Sequence, residues 1–139
     1  MMAGSVPAIG SDAAGTDISV EITGLRSARG IVRACLTSQR RGFPKCAESS
    51  GDRSAATPAS ANPVTFNFTG IAPGTYAIAV VHDENSNGRI DRALLLMPKE
   101  GFGFSRDAPV RMGPPRFEAA AFEVGARPVH QAIRMRYML

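Results

Sequence analysis

The chain has 139 residues, 44% of them hydrophobic and 20% charged, with no tryptophan and a formal net charge of +4. That length suits one folded unit, and that composition excludes disordered and fibrous classes. No apolar run approaches the roughly 20 residues of a bilayer-spanning helix, so no transmembrane segment is expected. Lys45 and Lys99 are the only lysines, so arginine supplies most of the positive charge. Arg26, Arg53, Arg89, Arg116 and Arg134 are scattered rather than gathered on one stripe, which argues against nucleic acid as a partner.

In chain order, residues 1–16 read as a truncated or disordered start, with neither a basic n-region nor an apolar h-region, and 17–139 as a single domain. Ile18, Val20 and Ile22 alternate with Ser19, Glu21 and Thr23, the period of a strand with one buried face. A second strand is expected from about Gly30 to Leu36. From Thr37 to about Asn62 the chain is rich in Ser, Ala, Gly, Pro and charge, and is read as a long loop without assigned structure beyond Ala47.

Cys35 and Cys46 flank the turn-like Gln39-Arg40-Arg41-Gly42, a separation that can bring two Cα atoms to disulfide distance. A bond between them fits an oxidising compartment, periplasmic or extracellular. Two free thiols are the alternative.

Val64-Thr65-Phe66-Asn67-Phe68 is the clearest alternating strand. Pro73-Gly74 suits a type II turn, and the apolar run Tyr76 to Val81 predicts a central strand buried on both faces. Further strands are expected over Phe117–Val124 and Val129–Tyr137, the last with His130, Arg134 and Arg136 outward. About seven short strands predict an all-β fold, a single antiparallel Greek-key β-sandwich of the prealbumin-like or immunoglobulin-like kind.

One segment carries chemistry. His82-Asp83-Glu84-Asn85-Ser86-Asn87-Gly88-Arg89-Ile90-Asp91 sets oxygen-bearing side chains at alternate positions before a glycine. A calcium loop needs that spacing, a sharp bend and a following backbone carbonyl. Asp83, Asn85, Asn87, the Arg89 carbonyl and Asp91 meet those demands in order. Leu94 stands where an EF-hand loop ends in a bidentate glutamate, so affinity nearer the millimolar range is expected. Glu100 or Asp107 can complete the shell. The competing reading is a tight polar hairpin about Asn87-Gly88.

Gly74 to Asn85, with Asn87, Gly88 and Asp91, resembles the signature of domain of unknown function 2141, a family of exported bacterial proteins. Pro98 to Ser105 and Gly113 to Glu118 resemble its downstream blocks. The resemblance implies a signal peptide in the precursor and a prealbumin-like or surface-protein B-like sandwich. It implies no activity.

Catalytic constellations are weak. His82 and Asp83 are adjacent on a strand and point to opposite faces. Ser105 lies outside a nucleophile elbow, and Gly101-Phe102-Gly103 lacks the strand-to-helix context of a dinucleotide loop. No Cys/His spacing indicates zinc. The expected function is therefore an exported, non-catalytic structural or binding module with calcium as its cofactor. The alternative is a small-ligand or polysaccharide-binding domain, or one docking a cell-envelope component, with His82, Phe102 and Phe104 as ligand contacts. A hydrolase centred on His82 is the least favoured reading. Phe102 and Phe104 are read first as core residues and only second as stacking platforms.

Overall fold

The computed structural model describes residues 15–85, 101–111 and 113–137. The alternation at the start of the chain becomes β1 (Thr16–Thr23), with Ile18, Val20 and Ile22 buried and Asp17, Glu21 and Thr23 exposed. Antiparallel to it lies β4 (Val64–Ile71), placing Val20 opposite Phe66. On its other side β8 (Val129–Arg134) runs parallel, Ile22 opposite Ile133. The expectation of a purely antiparallel fold is thus corrected. More than a hundred residues separate these strands, so no hairpin dictates their relative direction.

The second sheet has the order β3-β2-β5-β6-β9, formed by Arg53–Pro58, Ile31–Thr37, Gly74–Asp83, Gly101–Phe104 and Arg136–Tyr137. A short β7 (Phe122–Val124) pairs with the beginning of β5. Nine strands in two sheets, rather than about seven, are present among the described residues.

Both faces of β5 are covered, as its apolar run requires. Ile78 and Val80 join Val32, Ala34 and Leu36 of β2 in a core shared with β1, β4 and β8. Ala77, Ala79 and Val81 belong to a second cluster on the other face, with Phe102, Phe104, Ala108, Phe117 and Ala120. On β6 the alternation is Gly-Phe-Gly-Phe. The two phenylalanines face this outer cluster, and the glycines face inward where β8 and β9 pass closely. A Cβ on Gly103 would lie 2.6 Å from the Ile133 side chain, and one on Gly101 would lie 2.4 Å from the Tyr137 ring.

Three segments differ from the sequence reading. The stretch read as an unstructured loop contains a 3-10 turn (Glu48–Ser50) and β3, which completes the edge of the second sheet against β2. Phe117–Val124 is not one strand. It opens with a single helical turn, α1 (Phe117–Ala120), that buries Phe117 and Ala120 three positions apart. The final strand breaks at Met135, whose N–H donates to the Thr23 carbonyl at 2.8 Å while the chain crosses from one sheet to the other. No helix among the described residues is long and apolar enough to cross a membrane.

Candidate functional site

The chemistry-bearing run begins where β5 ends. His82 lies on the inner face in line with Ile78 and Val80, and is fully buried. Its Nε2 is 2.7 Å from the Arg29 carbonyl and its Nδ1 is 2.6 Å from the Tyr137 hydroxyl. A carbonyl only accepts, so Nε2 carries a proton and donates. In the neutral ring Nδ1 then accepts from Tyr137 Oη, which in turn accepts the Arg26 N–H at 3.1 Å. Burial pushes the Tyr137 phenol above its usual range, the strongest of the influences on it.

Above this relay the Arg26 guanidinium lies 4.5 Å from the Tyr137 ring centroid and bonds the Glu84 carboxylate, Nη2 to Oε1 at 2.7 Å. Ser27 Oγ donates to Glu84 Oε2 at 2.7 Å, and Arg29 approaches the same oxygen at 3.7 Å. The hydrogen bond from Arg26 is the largest influence holding the Glu84 carboxyl down at about 2, with the Ser27 bond and the Arg26 charge acting in the same direction against burial. The 24–30 connection, the end of β5 and β9 are thereby fastened together. Gly30 lets the connection pass this closely. Its φ is +76°, and a Cβ there would sit 2.1 Å from the Asp83 carbonyl oxygen.

Asp83 points to the opposite face, as adjacency on a strand demands. It is 1% exposed, with Oδ2 at 3.7 Å from Arg33 Nε. That Nε is the one buried side-chain nitrogen or oxygen without a hydrogen bond among the described residues. Asn85, two residues on, is exposed. Asn87, Arg89 and Asp91, and with them Glu100, lie outside the described residues.

Asp107 Oδ1 accepts the Arg134 N–H at 2.9 Å on the edge of β8, with the Asp107 backbone at φ 51°. Phe102 and Phe104 are 3% and 1% exposed, so neither ring offers a stacking surface. His82 is equally closed to a ligand because both its nitrogens are engaged inside. Ser105 is buried, its Oγ accepting the Ile78 N–H at 2.9 Å and donating to the Ala120 carbonyl at 2.5 Å.

The disulfide joins Cys35 to Cys46, Cα atoms 5.8 Å apart. The strap between them inserts Phe43 between Phe104 and Phe117, ring centroids 5.9 and 5.8 Å away. One grouping escaped sequence reasoning because its members lie 111 positions apart: Ser19 Oγ is 3.0 Å from His130 Nδ1, and His130 Nε2 is 3.8 Å from Glu21 Oε1. It stands on the open face of the first sheet, where the N–H groups of β1 are taken up by ladders on both sides. A developing oxyanion would find no backbone donor in this strand.

A family model described as "Uncharacterized protein conserved in bacteria (DUF2141)" matches residues 20–132. The chain belongs to this DUF2141 family. No curated protein and no solved structure matches it. The region shared with DUF2141 holds the disulfide, all of β5 and the Glu84 clamp, whereas Tyr137 lies beyond its end.

The clamp has a pH signature. Glu84 titrates at about 2 in the folded chain against a reference of 4.5. A depressed carboxyl contributes stability that is fully present above the reference value and is lost as pH falls through the folded value. Wild type is therefore expected to lose stability relative to Glu84→Gln between about pH 4.5 and pH 2 at low salt, read as converging melting temperatures. Parallel curves through that window would show that the Arg26 pair does not support the fold.

Proposed function

We propose that this chain is an exported, non-catalytic structural or binding module of prealbumin-like build, placed in the periplasm or outside the cell, with a weak calcium site in the loop after β5. The observation that carries the non-catalytic reading is the employment of the side chains able to do chemistry. His82 ties β5 to β9 and to Arg29, Ser105 ties β5 to Ala120, and the cysteines tie β2 to the strap. Each is spent on fastening segments together. The disulfide supports an oxidising location, since such bonds rarely persist in a reducing cytoplasm. Native material carrying two freely alkylatable thiols would overturn that location.

For calcium, β5 ends on Asp83, and Asn85 follows two residues later in the turn, at the start of the alternating run. Arg33 beside Asp83 already offsets one of the two formal charges in the proposed set, which supports a weak site. Binding to the native state alone adds RT ln(1 + [L]/Kd), about 1 kcal/mol at a few multiples of Kd. Millimolar calcium is expected to raise the melting temperature by roughly 3 °C, reversed by chelator, with magnesium doing less. Asn87→Ala should abolish the rise. Equal melting temperatures in calcium and chelator would leave the hairpin reading. The polysaccharide reading loses its stacking rings, since Phe102 and Phe104 are interior.

A further inference from the structure

Beneath the strap, Cys35 Sγ, Cys46 Sγ and a carboxylate oxygen of Asp52 all lie within 4.8 Å of one another. We propose that, once the disulfide is reduced, these three residues form a site for a thiophilic divalent cation of the zinc type, with water in the fourth position. The inference is independent of the calcium reading and concerns a different part of the fold.

Asp52 is placed by the sheet. The β2–β3 register sets Cys35 opposite Ser54 and Leu36 opposite Arg53, so the next position brings Asp52 to Thr37. Asp52 is 7% exposed. Thr37 Oγ1 donates to Oδ1 at 2.7 Å and the Ala47 N–H donates to Oδ2 at 2.8 Å. Each carboxylate oxygen has a second lone pair, so both bonds can persist while one oxygen ligates a metal. Such outer hydrogen bonds are how proteins orient a ligating carboxylate.

The geometry needs little adjustment. Tetrahedral zinc at about 2.3 Å from sulfur and about 2.0 to 2.2 Å from oxygen sets its ligand atoms roughly 3.5 to 3.8 Å apart. Cys35 is fixed in β2, and Cys46 stands on the exposed strap, so Cys46 can make the movement and admit the water. A protein or small-molecule dithiol supplies the two electrons: its own disulfide forms as the Cys35–Cys46 bond breaks, leaving two thiols. Zinc then displaces one proton from each as the thiolates bind. No short motif announces this set, because the cysteines stand 11 positions apart and the third ligand arrives through strand pairing.

The test uses the full chain, reduced with a phosphine under nitrogen and titrated with zinc in competition with a chromophoric chelator. Cobalt(II) serves as the spectroscopic substitute. One equivalent is expected to bind the reduced chain and none the oxidised chain, and cobalt should give a thiolate-to-metal charge-transfer band. Cys46→Ser should abolish tight binding. Asp52→Asn, checked for folding in its oxidised form, should weaken binding by about 10- to 100-fold or more, and Thr37→Val, removing only the orienting hydroxyl, by about 10-fold. Equal affinity in wild type and Asp52→Asn would overturn the proposal. So would equal affinity in strong denaturant, or a reduced chain that unfolds and does not recover its β spectrum with zinc.

Discussion

Phe104→Ala is expected to lower stability by about 3–5 kcal/mol, the range for truncating a large buried aromatic. The side chain is 1% exposed, on β6 opposite Ala79 of β5, and its ring meets Phe43 at 5.9 Å. Deleting it removes apolar contact and leaves a void that cannot easily close. The neighbours Ala79 and Ala108 are too short to fill it, and Phe117 is held by its helical turn and by Phe43. The aromatic pair adds about 0.5–1.5 kcal/mol beyond area burial. At roughly 2–4 °C per kcal/mol for a domain of this size, the melting temperature should fall by about 10 °C. Phe104→Leu should lose much less. A loss under about 1 kcal/mol for the alanine variant would mean the ring is not interior, and would reopen its use as a ligand contact.

What could be read from the sequence was what side-chain period alone decides. Ile18, Val20 and Ile22 had to share a face, and Val64, Phe66 and Phe68 likewise, so β1 and β4 were legible as half-buried strands. The unbroken apolar run in β5 marked a strand covered on both sides. β3 was illegible for the complementary reason: Arg53-Ser54-Ala55-Ala56-Thr57-Pro58 is an edge strand of small and polar residues, half or fully exposed, whose place is set by ladder bonds to β2. The break at Met135 was hidden because Ile133 and Met135 keep the alternation while the chain changes sheets. At the candidate site His82 and Asp83 stood out as residues, and their opposed faces followed from strand geometry. Their partners did not. Tyr137 is 55 positions from His82, and Arg26 is 58 from Glu84. Such pairs are set by which strands lie side by side, and no local pattern carries that information.

Replacing Cys35 and Cys46 together by alanine is expected to cost about 2–3 kcal/mol, less than Phe104→Ala. Chain-entropy arguments give about 3 kcal/mol for a loop of roughly 15 residues, and this one is shorter, with a separation of 11. The bond also acts through what it holds. The strap between the cysteines carries Phe43, which meets both Phe104 and Phe117, while Arg40 on the same strap lies 5.2 Å over the Phe117 ring and 2.6 Å from Glu118. That exposed ion pair contributes little by itself. Seating Phe43 therefore depends on the tether, and the two should be coupled: Phe43→Ala is expected to cost less in the cysteine-free chain than in wild type, by about 0.5–1 kcal/mol in a double-mutant cycle. Urea unfolding of the four proteins, with midpoints and slopes compared, measures this term. Strict additivity would show that Phe43 seats without the bond, and that the disulfide stabilises only by restricting the unfolded chain.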